Sequence, residues 1–70
     1  MRITYDKEVD ALRIIFRDTT VTSKELVDGI VLDIDAEGRP AGIEVLDAVL
    51  RFGDKETFRR VIFEGIGVEV

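Results

Sequence analysis

The sequence predicts an α+β fold: an antiparallel β-meander of four to five strands with one or two short C-terminal helices packed on one face. Up to about residue 46, apolar and polar residues alternate in short runs, which is typical of strands with one inward face. The runs are separated by short polar stretches that favour hairpins. After Leu46 the apolar spacing changes to the three- and four-residue steps of a helix.

The first two strands are predicted at residues 2–5 and 11–17, joined as a hairpin through the polar residues 6–10. One face of each carries the apolar side chains: Ile3 and Tyr5, and then Leu12, Ile14 and Phe16. Arg13 alternates with these residues and is therefore expected on the surface.

The middle of the chain is predicted as a loop followed by two more strands. Residues 18–24 are small and polar, so we expect a loop with a short extended piece near Val21. Residues 25–27 are expected to form a brief edge segment. The strands that follow are predicted at residues 30–35 and 41–46, each with its apolar residues in alternation.

The turn between these two strands allows two registers. A three-residue loop closed by a left-handed glycine pairs Asp35 with Arg39; carried into the strands, it places Leu32 opposite Gly42 and mixes the faces. An even loop pairs Leu32 with Ile43 and collects the apolar residues on one face. Because a slip of one residue reverses every side chain, we favour the second register, and a bulge at Gly42 would reconcile the two.

The last third of the chain is predicted to be mostly helical. A first short helix carries Leu46, Val49 and Leu50 on one side and ends at Gly53. Asp54 is expected to cap a second helical stretch over residues 55–64. Residues 66–70 alternate again and suggest a last strand.

Composition restricts both architecture and function. We expect one domain over residues 1–70, and a chain this short has a small core of marginal stability. It has no cysteine and no histidine, which excludes disulfides and thiolate or imidazole metal ligands. Self-association is the remaining stabiliser, so we expect a homo-oligomer, a dimer as the first guess.

Charge and hydropathy indicate where the protein works. A net charge of −5 disfavours autonomous nucleic-acid binding and suits a basic protein partner. The longest apolar runs are far shorter than the roughly 20 residues of a membrane helix, and the N-terminus does not read as a signal peptide. We therefore expect a cytoplasmic protein that does not bind membranes.

The acidic stretch over residues 28–47 imitates a calcium-binding loop. The residues at the spacing of such a loop are Asp33, Asp35, Glu37, Gly38 and Glu44. A calcium loop of this type lies between helices, whereas this stretch alternates like two strands, so we predict no metal site. Three carboxylate pairs are available for hydrolysis, Asp6 with Asp10, Asp33 with Asp35, and Glu44 with Asp47. They lack an evident cleft, and we interpret them as solvated acids on an outer face.

Two blocks of the sequence resemble a known pattern. The first contains Tyr5-Asp6, Glu8 and Asp10-Ala11-Leu12; the second runs over 28–33, Gly38 and 42–48. They resemble the small bacterial and archaeal domain-of-unknown-function family 2283 over a core of residues 3–48, leaving a C-terminal segment, 49–70, outside. The resemblance implies a short stand-alone cytoplasmic domain without established activity, cofactor or catalytic residues. It also suggests an antitoxin role beside small toxin-like proteins.

The sequence therefore predicts a non-enzymatic interaction module, an acidic antitoxin-like partner of a basic protein. Two alternatives stay open: a small carboxylate-based or divalent-metal-dependent hydrolase, and a homo-oligomeric structural protein. No catalytic or metal-binding residue and no cofactor is assigned. The residues expected to bind the partner are Asp33, Asp35, Glu44 and Asp47.

Overall fold

The computed structural model describes residues 1–67 and shows a five-stranded antiparallel sheet followed by a short helix and a 3₁₀ turn. The strands are β1 (Arg2–Asp6), β2 (Ala11–Ile15), β3 (Thr22–Val27), β4 (Ile30–Ile34) and β5 (Pro40–Val45). The helix α1 spans Ala48–Phe52 and the 3₁₀ turn spans Lys55–Phe58. The predicted α+β class is confirmed. No helix within the described residues has the length and apolar character needed to cross a membrane.

The strands lie in the order β1-β2-β5-β4-β3, and every neighbouring pair is antiparallel. β3, β4 and β5 form a meander, and the β1–β2 hairpin adds to it by pairing β2 with β5. The connection over residues 16–21 therefore carries the chain from β2 to the far edge of the sheet. This arrangement makes β1 and β3 the two edges.

The favoured register of the β4–β5 hairpin is confirmed. Leu32 lies opposite Ile43 and Ile30 lies opposite Val45, so the apolar residues share one face. The same face continues through β2, where Ile14 is the partner of Ile43. The four strands β1, β2, β5 and β4 therefore share one apolar face.

The alternative pairing of Asp35 with Arg39 is also present, but only at the turn. The amide of Asp35 donates to the carbonyl of Arg39 at 2.9 Å, and Gly38 takes the left-handed conformation with φ of 81°. The register then shifts, since Asp33 pairs with Gly42 while Ile34 pairs with Pro40. A bulge therefore reconciles the two registers, as predicted, but the extra residue is Ala41, next to the predicted Gly42.

Two predicted segments have the wrong secondary structure. Residues 22–24 belong to β3 rather than to a loop, because the backbone of this edge strand pairs with β4 although its side chains show no apolar alternation. The second helical stretch is only the 3₁₀ turn Lys55–Phe58, and the rest of the predicted range 55–64 is not helical. Its cap is confirmed, since the Asp54 side chain accepts from the amide of Glu56 at 2.6 Å.

The predicted last strand at residues 66–70 is not seen where it can be assessed. Ile66 and Gly67 lie in a turn, and the remaining three positions lie outside the described residues. The end of α1 is as expected, because Gly53 adopts φ of 84° and its amide donates to the carbonyl of Val49.

The apolar face of the sheet is only partly covered. In strand register its members are Ile3, Tyr5, Leu12, Ile14, Ile30, Leu32, Ile34, Ile43 and Val45. None of these nine side chains is fully buried. Cover is present at one corner, where the ring of Phe58 stacks on Tyr5 with centroids 4.5 Å apart. The buried apolar residues among those described are Ile15, Ala41 and Ala48.

Candidate functional site

The sheet brings three acidic chain segments to one of its ends. The β1–β2 turn, the β3–β4 turn and the exit of β5 all lie there, because the ends of these strands are paired with one another. Two backbone hydrogen bonds join the segments: the amide of Leu46 donates to the carbonyl of Gly29 at 2.8 Å, and the amide of Ala48 donates to the carbonyl of Asp10 at 3.0 Å.

This acidic end contains five carboxylates and two basic side chains, a net charge of −3. The acids are Asp6, Glu8, Asp10, Asp28 and Asp47, and the bases are Lys7 and Arg51. The Arg51 guanidinium lies against Gly29 and donates to the carbonyl of Leu46 at 2.7 Å. Apart from Asp10, the acids are exposed.

Asp10 joins the β1–β2 turn to the start of α1. Its carboxylate accepts from the amide of Val49 at 3.0 and 3.2 Å and from the hydroxyl of Tyr5 at 2.7 Å. The amide of Val49 and then the Tyr5 hydroxyl lower the pKa of Asp10, and the same bond raises the pKa of Tyr5. Asp10 is therefore held as an anion at a helix start, a favourable place for a negative charge.

The opposite end of the sheet is electrically balanced, with three acids and three bases. Its members are Asp18, Asp35 and Glu37 with Arg2, Arg17 and Arg39. Asp35 is 7 % exposed and forms ion pairs with both Arg17 and Arg39. The backbone amide of Arg39, the side chains of these two arginines and the amide of Glu37 hold the pKa of Asp35 at about 2.

Asp33 lies in the middle of the sheet, on the face opposite the apolar one. It is 2 % exposed, accepts from the Ser23 hydroxyl at 2.7 Å and lies 3.6 Å from the Arg13 guanidinium. Gly42 faces it across the β4–β5 pair, where a Cβ atom would come within 3.4 Å of the Asp33 carboxylate. The carboxylate is thus enclosed by its own chain.

The interpretation of the acids as a solvated outer face is wrong for Asp33 and Asp35. Both are buried, because cross-sheet and turn neighbours on the same chain supply their hydrogen-bond partners. Within the described residues, every buried side-chain nitrogen or oxygen has a partner. Asp33 and Asp35 therefore fix the sheet and its bulged turn and have little surface to offer to another molecule.

The other two predicted partner-binding residues lie at or near the acidic end. Asp47 is exposed and precedes α1 in the left-handed conformation with φ of 52°. Glu44 is half-buried on β5 and lies opposite Arg13. The structure therefore separates the four predicted residues instead of grouping them.

The acids of the two hairpin turns were not predicted to be part of this site. Asp6, Glu8 and Asp28 each flank a predicted turn, which was the available signal. Only the strand order shows that those turns meet Asp47, and the strand order depends on the β2–β5 pairing.

The residues of the calcium-loop pattern are spread over a hairpin. Asp35 is bound by arginines at the balanced end, whereas Glu44 lies on β5 opposite Arg13. In the part of the chain that the structure describes, no three carboxylates are grouped so that they could hold a metal ion.

Comparison with known proteins identifies one family. A sequence profile of the family described as "Protein of unknown function (DUF2283)" matches residues 2–48, which ends at the first residue of α1. Neither a curated protein nor a solved structure matches the chain.

Proposed function

Since the chain belongs to the DUF2283 family, whose description assigns no function, we propose from the structure that it is a non-enzymatic module that binds a basic protein. The observation that carries this proposal is the charge difference between the two ends of one sheet. The acidic end has a net charge of −3, and the opposite end has none.

The arrangement of the acids supports binding rather than solubility alone. Charges spread evenly over a surface are sufficient to keep a protein in solution. Here the exposed acids of the acidic end come from three neighbouring chain segments, while the buried carboxylates Asp33 and Asp35 are paired with arginines of the chain itself. A one-sided negative field attracts basic partners and orients them during association.

The finer form of the proposal is an antitoxin-like role, in which the acidic end covers the basic surface of a small toxin such as a ribonuclease. A basic substrate-binding surface is common to proteins that act on nucleic acids, because these proteins neutralise phosphates. An acidic surface placed against it would exclude the nucleic acid. Of the predicted partner-binding set, Asp47 and Glu44 lie at or near the acidic end, which supports their role in such contacts.

The test is affinity capture from the native host with a matched pair of double variants. Asp28→Asn with Asp47→Asn removes two charges from the acidic end, and Asp18→Asn with Glu37→Gln removes two from the balanced end. We expect the wild-type chain to recover a basic protein at physiological salt. The acidic-end variant should weaken its binding by about tenfold or more, and the control variant by much less.

Two results would count against the proposal. One is a wild-type chain that recovers no basic protein from its host. The other is equal loss of binding in both double variants, which would show that total charge matters and its position does not.

A further inference from the structure

We propose that the apolar face of the sheet packs against the same face of a second copy of this chain. The face consists of the nine side chains contributed by β1, β2, β4 and β5, centred on the row Ile14, Ile43 and Leu32. All three of these central residues are only half-buried in the single chain. The inference concerns a different surface from the acidic end and does not depend on the partner bound there.

The exposed surface is larger than expected for a compact monomer of this mass. A compact monomer of 7.9 kDa is expected to expose about 4,400 Å². The chain exposes 5646 Å², an excess of about 1,200 Å² over that expectation. A standard protein interface removes about 800 Å² from each partner. The excess is therefore of the size that a stable dimer would bury.

The apolar face contributes to this exposed surface through Ile3 and Tyr5, at 40 % and 38 % exposure, and through its seven half-buried side chains. The C-terminal segment contributes as well, since Val61, Ile62, Phe63 and Ile66 are exposed. A sheet with one apolar face needs a second layer on that face to form a core. Here α1 and the 3₁₀ turn contact each other more than they contact the strands, and Phe58 covers only the corner at Tyr5. Near the other corner, Met1 and Ile3 line an open cavity of about 380 Å³ with Phe63 and Ile66. Neither α1 nor the 3₁₀ turn forms a second layer over the centre of the sheet.

The chemistry of the face favours a second copy over a basic partner. Lys24, on the edge strand β3, is the one charged strand residue that the described register places on this side. A basic partner would find no carboxylate there, whereas an identical apolar face buries no charge at its centre. A two-fold axis through the central row pairs the patch with itself, as in most homodimers. The turns of the acidic end remain at the rim.

The first test is sedimentation of the wild-type chain and of two lysine variants. We expect a species of about 16 kDa at tens of micromolar, twice the 7.9 kDa of one chain. Ile43→Lys should raise the dissociation constant by about tenfold or more, as expected for a central interface residue. Thr4→Lys adds the same charge on the opposite face of β1 and should leave it unchanged. A wild-type monomer at these concentrations would overturn the proposal.

The second test does not require a lysine at the centre of the sheet. The chain has no cysteine, so Ile43→Cys and Thr4→Cys each introduce a single thiol. The thiol at position 43 should react with a maleimide about tenfold or more slowly in the dimer than in the diluted monomer, whereas the thiol at position 4 should react at the same rate in both. A dimer in which dilution does not accelerate the reaction of the thiol at position 43 is formed through a strand edge or another surface, and that result would also overturn the proposal.

Discussion

At the scale of single residues, Gly42 lies close to the backbone of β2 and to the carboxylate of Asp33. Gly42 has an ordinary negative φ, so its need for glycine is steric and not conformational. An added Cβ would lie 2.8 Å from the carbonyl oxygen of Ile14. The sequence suggested Gly42 as a bulge site from the conflict of registers. It could not reveal that Asp33 is buried, because that depends on Arg13 and Ser23 approaching from two other strands.

Gly42→Ala should destabilise the fold by about 1–3 kcal/mol, because backbone on β2 must move to admit the methyl group. Urea unfolding measures the change. Glu44→Ala is the matched control. Glu44 lies on the same strand and face as Gly42, and this change shortens a side chain instead of adding one. Equal stability of Gly42→Ala and the wild type would contradict the described β2–β5 packing.

Asp35 should make stability depend on pH in the acid range. The pKa of Asp35 is about 2 in the folded chain, whereas that of an ordinary aspartate is 3.8. The unfolded chain therefore takes up the proton first as the pH falls. The stabilisation is complete above about pH 4 and is lost as the pH falls towards about 2. Asp35→Asn keeps an oxygen for the turn amides and should flatten this slope in urea midpoints measured from pH 5 to 2.

The control for that measurement is Glu64→Gln, which removes an exposed carboxylate. This variant should follow the wild-type pH profile. If Asp35→Asn follows it as well, the two arginines do not stabilise the Asp35 carboxylate in the folded chain.

At the scale of elements, apolar alternation predicted the strands with one inward face and failed for β3. An edge strand exposed on both sides has no apolar period, and its backbone pairing is not encoded in side-chain polarity. The caps of the C-terminal elements were predictable because Asp54 and Gly53 act locally. The length of the second helical stretch was not, because an apolar stripe stabilises a helix only where it packs on something.

Asp10 is the element-scale link that sequence reasoning did not find. Asp10→Ala removes the acceptor of both the Val49 amide and the Tyr5 hydroxyl. Hydrogen exchange at the amide of Val49 should accelerate by about fivefold to tenfold, as for the loss of one helix cap. Tyr5→Phe removes only the hydroxyl bond and should accelerate it less. An unchanged rate in Asp10→Ala would show that the helix start is held by other contacts.

At the scale of the whole molecule, strand order determines both surfaces for which we propose a function. The β2–β5 pairing brings three turns together as the acidic end and makes one continuous apolar face. Composition alone predicted an acidic, partly apolar chain that self-associates or binds a basic protein. It could not place these properties on separate surfaces, because the order of strands is a long-range property.

A dimer through the apolar face should make thermal stability depend on concentration. For a dimer of two 70-residue chains, Tm should rise by about 5 °C for each tenfold increase in concentration. Calorimetry of the wild type and of Thr4→Lys should show this rise, and Ile43→Lys should show little. A wild-type Tm that does not change with concentration would contradict the expectation.

Amide chemical-shift mapping decides whether the acidic end is the surface that binds a basic protein. The ¹⁵N-labelled chain would be titrated with the basic protein recovered from the host. We predict that the largest shifts occur at the β1–β2 turn, at Asp28 and at Asp47. Largest shifts around Arg17, Asp35 and Arg39, at the balanced end, would contradict the claim.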